Sequence, residues 1–138
     1  MKKVCLLALV GLAAGILLAR IESAHAVPPF KKEFETKYVK KSPSSPAEEA
    51  LVVAVKKAKC NVCHKGKKKK DRNAYGDALA ELLDKKADAK NTAKIQEALE
   101  KVSAMQSNPD DPNSPTFGDL LKEGKLPGGD EDAQASAD

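Results

Sequence analysis

The chain has 138 residues, and its 24 basic and 20 acidic side chains give a formal net charge of +4. This length favours one small domain. Because the basic and acidic residues nearly balance, the charge does not favour a nucleic-acid-binding protein. With no tryptophan and 4% aromatic residues, the side chains alone would bury a limited apolar area.

The first 26 residues read as a targeting segment. A basic start precedes an apolar run from Val4 to Leu18, and Ala24-His25-Ala26 forms a small-x-small cleavage site. This pattern predicts a secretory signal peptide over residues 1–26. The alternative is an uncleaved membrane anchor, but Arg20 and Glu22 interrupt the run before the roughly twenty apolar residues that a spanning helix needs. We therefore expect a periplasmic or otherwise exported protein with no stable membrane insertion after cleavage.

Residues 27–45 are predicted to form an N-terminal arm. Phe30, Phe34 and Tyr38 are spaced by four, so in a helix they would share one face. Two interpretations stay open. The aromatic side chains clasp the helical body, or they cover part of the prosthetic group that the next motif indicates.

A helix is predicted to lead straight into that motif. Ser45 to Glu48 forms a capping box with Pro46 at the first helical position. Apolar residues then recur at helical spacing, at Ala47, Leu51, Ala54, Val55, Ala58 and Val62.

The motif is Cys-Asn-Val-Cys-His at residues 60–64. Signal cleavage would remove Cys5 and His25, so that the motif holds every remaining cysteine and histidine. C-x-x-C-H is typical of c-type haem attachment, because one turn of backbone brings two thiols to the two vinyl groups and presents the next imidazole to the iron. The sequence therefore predicts one covalent haem c, with Cys60 and Cys63 as attachment points and His64 as the proximal iron ligand.

Three other readings of the cysteine pair are less favourable. A disulfide between Cys60 and Cys63 would close a very small loop and stabilise little. A zinc site needs four ligands, and the chain after cleavage has three of the Cys/His type. A thioredoxin-like pair requires a βαβ setting, and no strand pattern surrounds the motif.

A run of basic residues follows the proposed iron ligand. Its members are Lys65, Lys67, Lys68, Lys69, Lys70 and Arg72. One interpretation is a solvated loop whose charges do no more than keep it in water. The other is a docking rim near the haem edge that steers an acidic redox protein.

Three further helices are predicted after the basic run, and together with the first they form a domain over residues 46–127. One begins near Asn73, one near Asn91 or Thr92, and a short one spans Phe117 to Lys122. The apolar stripes of the first two are Tyr75, Leu79, Leu82 and Leu83, then Ile95, Ala98, Leu99, Val102 and Met105. Residues 128–138 are small and acidic without an apolar anchor, which predicts a flexible tail.

Met105 is the only methionine besides Met1 and is the candidate distal iron ligand. The alternatives are that Met105 is a core residue on its helical stripe, and that a lysine or an open site occupies the distal position.

The signal, the CNVCH motif and the small helical body resemble small exported bacterial monohaem cytochromes c. The resemblance implies an all-α, cytochrome c-like domain of three to four helices around a covalent haem, here with an aromatic arm and an acidic tail. Class I members place a helix before the motif, a distal methionine some tens of residues later and a helix after that. This chain has the first feature and a candidate for the second, and it departs from the third.

The function expected from these features is single-electron transfer between redox partners, not enzymatic catalysis. A five-coordinate haem protein that binds a small gas, or has peroxidase-like activity, is one alternative. Peroxide chemistry usually needs a distal acid–base group such as histidine, and the chain after signal cleavage has none to spare. A haem-stapled subunit of a larger redox complex is another alternative.

Overall fold

The computed structural model describes residues 29–66, 68 and 70–129. This part of the chain forms α1 (Pro29–Tyr38), α2 (Pro46–Ala58), a 3₁₀ turn (Lys59–Val62), α3 (Ala74–Leu82), α4 (Thr92–Ser103) and α5 (Phe117–Lys122). The prediction of an all-α fold is confirmed for these residues. The predicted signal peptide and residues 130–138 of the predicted tail lie outside them. None of the helices described has the length and apolar character needed to cross a membrane.

Capping side chains start the helices at the residues that the sequence predicted. The side chain of Ser45 accepts from the backbone N–H of Glu48 at 3.2 Å, and Asn91 accepts from the N–H of Lys94 at 3.1 Å. Thr116 and Asp119 form a complete capping box at the start of α5. The box predicted at Ser45 is only half formed, because the Glu48 carboxylate accepts from the backbone N–H of Ser44, at 2.7 Å.

The described part of the predicted domain over residues 46–127 holds four α-helices, α2 to α5, in agreement with the predicted three to four, and α1 forms within the predicted arm. The side chain of Phe34 is fully buried in the core. The Tyr38 hydroxyl donates to the carbonyl oxygen of Leu99 at 2.9 Å, and the Gln96 amide donates to the Glu33 carboxylate at 2.7 Å. These are contacts of the kind that the clasp interpretation predicts, with α1 held along α4.

Three buried aromatic rings connect helices α1, α3 and α5. The ring of Tyr75 on α3 lies 5.8 Å from that of Phe34 on α1 and 5.2 Å from that of Phe117 on α5. Both pairs meet edge to face, which is a favoured arrangement of aromatic rings. Helices α1, α3 and α5 therefore share one core with α4, and the end of α2 brings the CNVCH segment to the edge of this core.

Candidate haem site

The CNVCH segment forms a single tight turn directly after α2. The backbone N–H groups of Cys63 and His64 both donate to the carbonyl oxygen of Cys60, at 3.2 and 3.1 Å. Val62 is 1% exposed and anchors the turn in the core, whereas the two cysteines are half-buried. The turn therefore presents both thiols from adjacent positions at the surface of the core, and the two cysteines are not joined by a disulfide.

The residue that leads into this turn has an unfavourable backbone conformation. Lys59 has a φ of 53° and a ψ of −105°, in a region that favours glycine. Lys59 is the only non-glycine residue with positive φ in the described part of the chain. Backbone strain of this kind persists only where surrounding contacts impose it, and it is often found at functional sites.

The Cys63 thiol lies in a poorly hydrated setting. Desolvation raises the pKa of Cys63 to about 12, with Lys31 on α1 opposing the rise and Cys60 adding to it. A thioredoxin-like pair requires a βαβ setting, and no strand occurs among the described residues, which does not favour that alternative.

The imidazole of His64 is oriented by the backbone that returns after the basic loop. Its Nδ1 atom lies 3.3 Å from the carbonyl oxygen of Asp71. A proton on Nδ1 in this contact leaves Nε2 as the metal-binding nitrogen, and metal-binding histidines are commonly oriented in this way. The position of the His64 ring therefore suits the role that the sequence predicts for it.

Asn73 and two glycines hold the turn against the start of α3. The Asn73 amide nitrogen faces the carbonyl oxygens of Asn61, Val62 and His64, and the Asn73 backbone N–H donates to the Cys63 carbonyl oxygen at 3.3 Å. A β-carbon at Gly76 would lie 1.9 Å from the Cys63 carbonyl oxygen, and one at Gly128 would lie 2.0 Å from the Asn73 amide nitrogen. Sequence reasoning identified none of these three as part of the site.

The basic run forms a loop that leaves the turn and returns beside it. The backbone N–H of Lys65 donates to the carbonyl oxygen of Asp71 at 3.1 Å, which closes the loop. The described members of the run, Lys65, Lys68, Lys70 and Arg72, are exposed. Two other members of the predicted docking set, Lys67 and Lys69, lie outside the described residues. Arg72 pairs with Asp77 at 3.7 Å.

Met105 lies beyond the helix on which the sequence placed it. Helix α4 ends at Ser103, and the Met105 side chain is 43% exposed, so the core interpretation of Met105 is wrong. Its backbone carbonyl accepts from the N–H of Phe117 at 3.0 Å, which fixes the main chain at this point. The role of Met105 as distal ligand stays a prediction.

Tyr75 provides one more polar group near the motif. The side chain is fully buried, and its hydroxyl is without a hydrogen-bond partner among the described residues. Desolvation raises the pKa of Tyr75, and the neighbouring Cys63 thiol adds to the rise. A buried hydroxyl normally has a partner, because leaving it unbonded costs free energy.

The donor set fits a haem. Two half-buried thiols, an imidazole held by a carbonyl oxygen and a buried hydroxyl without a partner suit a large apolar ring that carries carboxylates. No group of three or more His, Cys, Asp or Glu side chains with metal-binding geometry occurs in residues 29–66, 68 and 70–129. A haem iron does not need such a group, because the porphyrin supplies four of its ligands.

No protein-family model, curated protein or solved structure matches this chain.

Proposed function

We propose that this chain is an exported monohaem c-type cytochrome that carries single electrons between redox partners. The observation that carries the proposal is the CNVCH turn itself, with Cys60 and Cys63 half-buried at the edge of the core and His64 oriented by the Asp71 carbonyl. Cys60 and Cys63 would hold the haem covalently, and His64 would be its proximal ligand. When bound, the haem supplies an iron that changes between the ferrous and ferric states.

The chain's own residues account for how such a group would be held. Backbone hydrogen bonds to Cys60 and Asn73 hold Cys63 at the edge of the core, and the Asp71 carbonyl oxygen lies 3.3 Å from Nδ1 of His64. The predicted signal peptide over residues 1–26 supports export, which is also the setting in which c-type haem attachment takes place. The exposed lysines of the loop support an acidic redox protein as the partner, through a salt-dependent rate of association.

Mass spectrometry and optical spectroscopy test the proposal together. The full chain should be expressed in a host that matures c-type cytochromes, and the secreted product should begin at Val27 and carry one haem. A pyridine haemochrome spectrum should show two thioether bonds. The variant Cys60→Ser, Cys63→Ser is the matched control and should carry no covalent haem. A wild-type mass equal to the bare polypeptide from residue 27 would overturn the proposal.

A second candidate function follows if Met105 does not bind the iron. Met105 is 43% exposed, so its own packing does not hold it at a buried position. The alternative is a five-coordinate haem protein that binds a small gas at the open side. A wild-type protein that is high-spin and binds carbon monoxide rapidly in the ferrous form would support this second function over electron transfer.

A further inference from the structure

Asn73 lies between the CNVCH turn and α3, and its side chain is bonded to both. The amide Nδ2 is 3.0 Å from the carbonyl oxygen of Asn61, 3.2 Å from that of Val62 and 3.4 Å from that of His64. The amide oxygen accepts from the backbone N–H of Gly76 at 2.9 Å. Asn73 is 5% exposed, so water does not compete freely for these bonds.

The geometry points to Asn73 as the positioning residue for haem attachment. Its amide NH₂ group, which has two protons, faces three carbonyl oxygens within residues 61–64 and restrains the backbone between and after the two cysteines. The thiols of Cys60 and Cys63 and the imidazole of His64 then keep a fixed relative placement before and after they are bonded to the haem. This inference rests on the proposed function, and it assigns the preorganisation of the site to a residue outside the motif.

Only an amide of this length can make both sets of bonds. The N-cap role needs an acceptor for the Gly76 N–H, and the turn needs a donor that faces several carbonyls. Aspartate keeps the acceptor and the shape but has no donor, and its second oxygen would face the carbonyl oxygens of Asn61 and Val62. Asn73→Asp therefore separates the contact with the turn from the capping of α3.

Asn91 is the matched control within the same chain. It caps α4 through its side-chain oxygen, which accepts from the Lys94 N–H at 3.1 Å, and it is exposed. Aspartate is as good a helix cap as asparagine, so Asn91→Asp should behave as the wild type. The two substitutions are chemically identical, and they differ in whether the amide reaches the turn.

The experiment compares Asn73→Asp, Asn91→Asp and wild type, all produced as the full chain in a host that matures c-type cytochromes. The haemochrome spectrum gives the number of thioether bonds, and spectroelectrochemistry gives the midpoint potential. We expect Asn73→Asp to yield about tenfold less doubly attached haem and to shift the potential of what remains, as loss of an outer-shell contact does. If the contact between the Asn73 amide and the turn only stabilises the fold, Asn73→Asp should lower the melting temperature without moving the thioether ratio or the potential.

The outcomes separate the two proposals. A wild-type protein without haem overturns the proposed function, whatever the variants do. A wild-type protein with haem, together with equal thioether ratios and potentials in Asn73→Asp and Asn91→Asp, overturns the role of Asn73 alone. Where Asn73→Asp does not accumulate, Asn73→Ser retains a capping oxygen and lacks the amide donors. Normal double attachment and an unchanged potential in Asn73→Ser would then overturn the role.

Discussion

Gly76→Ala tests how closely α3 must approach the CNVCH turn. A β-carbon at Gly76 would lie 1.9 Å from the carbonyl oxygen of Cys63 and 3.2 Å from the β-carbon of Arg72. Real β-carbons essentially never come within 3.0 Å of another heavy atom, so helix and turn would have to separate by about 1.1 Å. The obstructing atom belongs to the backbone, and therefore no side-chain rotation can relieve the contact.

The expected cost follows from three terms. Alanine in place of glycine gains about 1 kcal/mol of helix propensity. Overpacking a closely packed site costs about 1–3 kcal/mol, and this contact belongs at the upper end because it opposes backbone to backbone. Separation of α3 from the turn would also weaken the bonds of the Asn73 amide, at about 1 kcal/mol each. We expect a net destabilisation of roughly 3–4 kcal/mol.

Denaturant unfolding of the haem-loaded protein measures this cost, and Gly118→Ala is the control. Gly118 also lies in the first turn of a helix, but its β-carbon would be 2.8 Å from the Ser103 carbonyl oxygen and needs a far smaller shift. We expect Gly118→Ala to change the free energy of unfolding by no more than about 1 kcal/mol, since the propensity gain offsets the contact. Equal stability of the two variants would refute the close approach of α3 to the turn.

Three other substitutions test separate parts of the site. If the Tyr75 hydroxyl bonds a polar group of the haem, Tyr75→Phe should destabilise the haem-loaded protein by about 1–2 kcal/mol in thermal unfolding. If the hydroxyl has no partner there, its removal should be neutral or stabilising. Met105→Ala should leave the haem attached and, if the thioether binds iron, convert a low-spin spectrum to a high-spin one; an unchanged spectrum would exclude Met105 as the ligand. Lys68→Gln combined with Lys70→Gln should slow electron exchange with an acidic partner at low salt, and the free energy of unfolding should stay within about 0.5 kcal/mol of wild type. An unchanged rate would mean that the loop is solvated and does not dock a partner.

The sequence predicted the helices well because their start signals are local. Asn91 and Thr116 cap α4 and α5 at the expected places, and the bounds of α5 are those predicted. A cap acts on N–H groups two or three residues away, so it can be recognised without knowledge of the fold. The CNVCH motif is likewise recognised from local spacing, and the haem attachment that it indicates stays a prediction.

The parts that could not be predicted depend on contacts between distant segments. Asn73 was expected near a helix start, but the carbonyls that its amide faces are set by how α3 docks on the turn. The acceptor for the His64 imidazole is a backbone carbonyl, which any residue at position 71 would supply. Met105 fits the apolar spacing of the residues on α4, but the helix ends at Ser103, before it reaches Met105.

One backbone carbonyl oxygen, that of Asp71, contacts both the CNVCH turn and the basic loop. The Asp71 oxygen accepts from the Lys65 backbone N–H at 3.1 Å and lies 3.3 Å from Nδ1 of His64, so the same atom closes the basic loop and orients the proposed iron ligand. Shortening the loop would therefore move the imidazole as well as remove charge, and a lower electron-transfer rate would have two explanations. Replacing lysine by glutamine changes the charge while the backbone bonds remain. Only charge substitutions of this kind can separate partner docking from the geometry of His64.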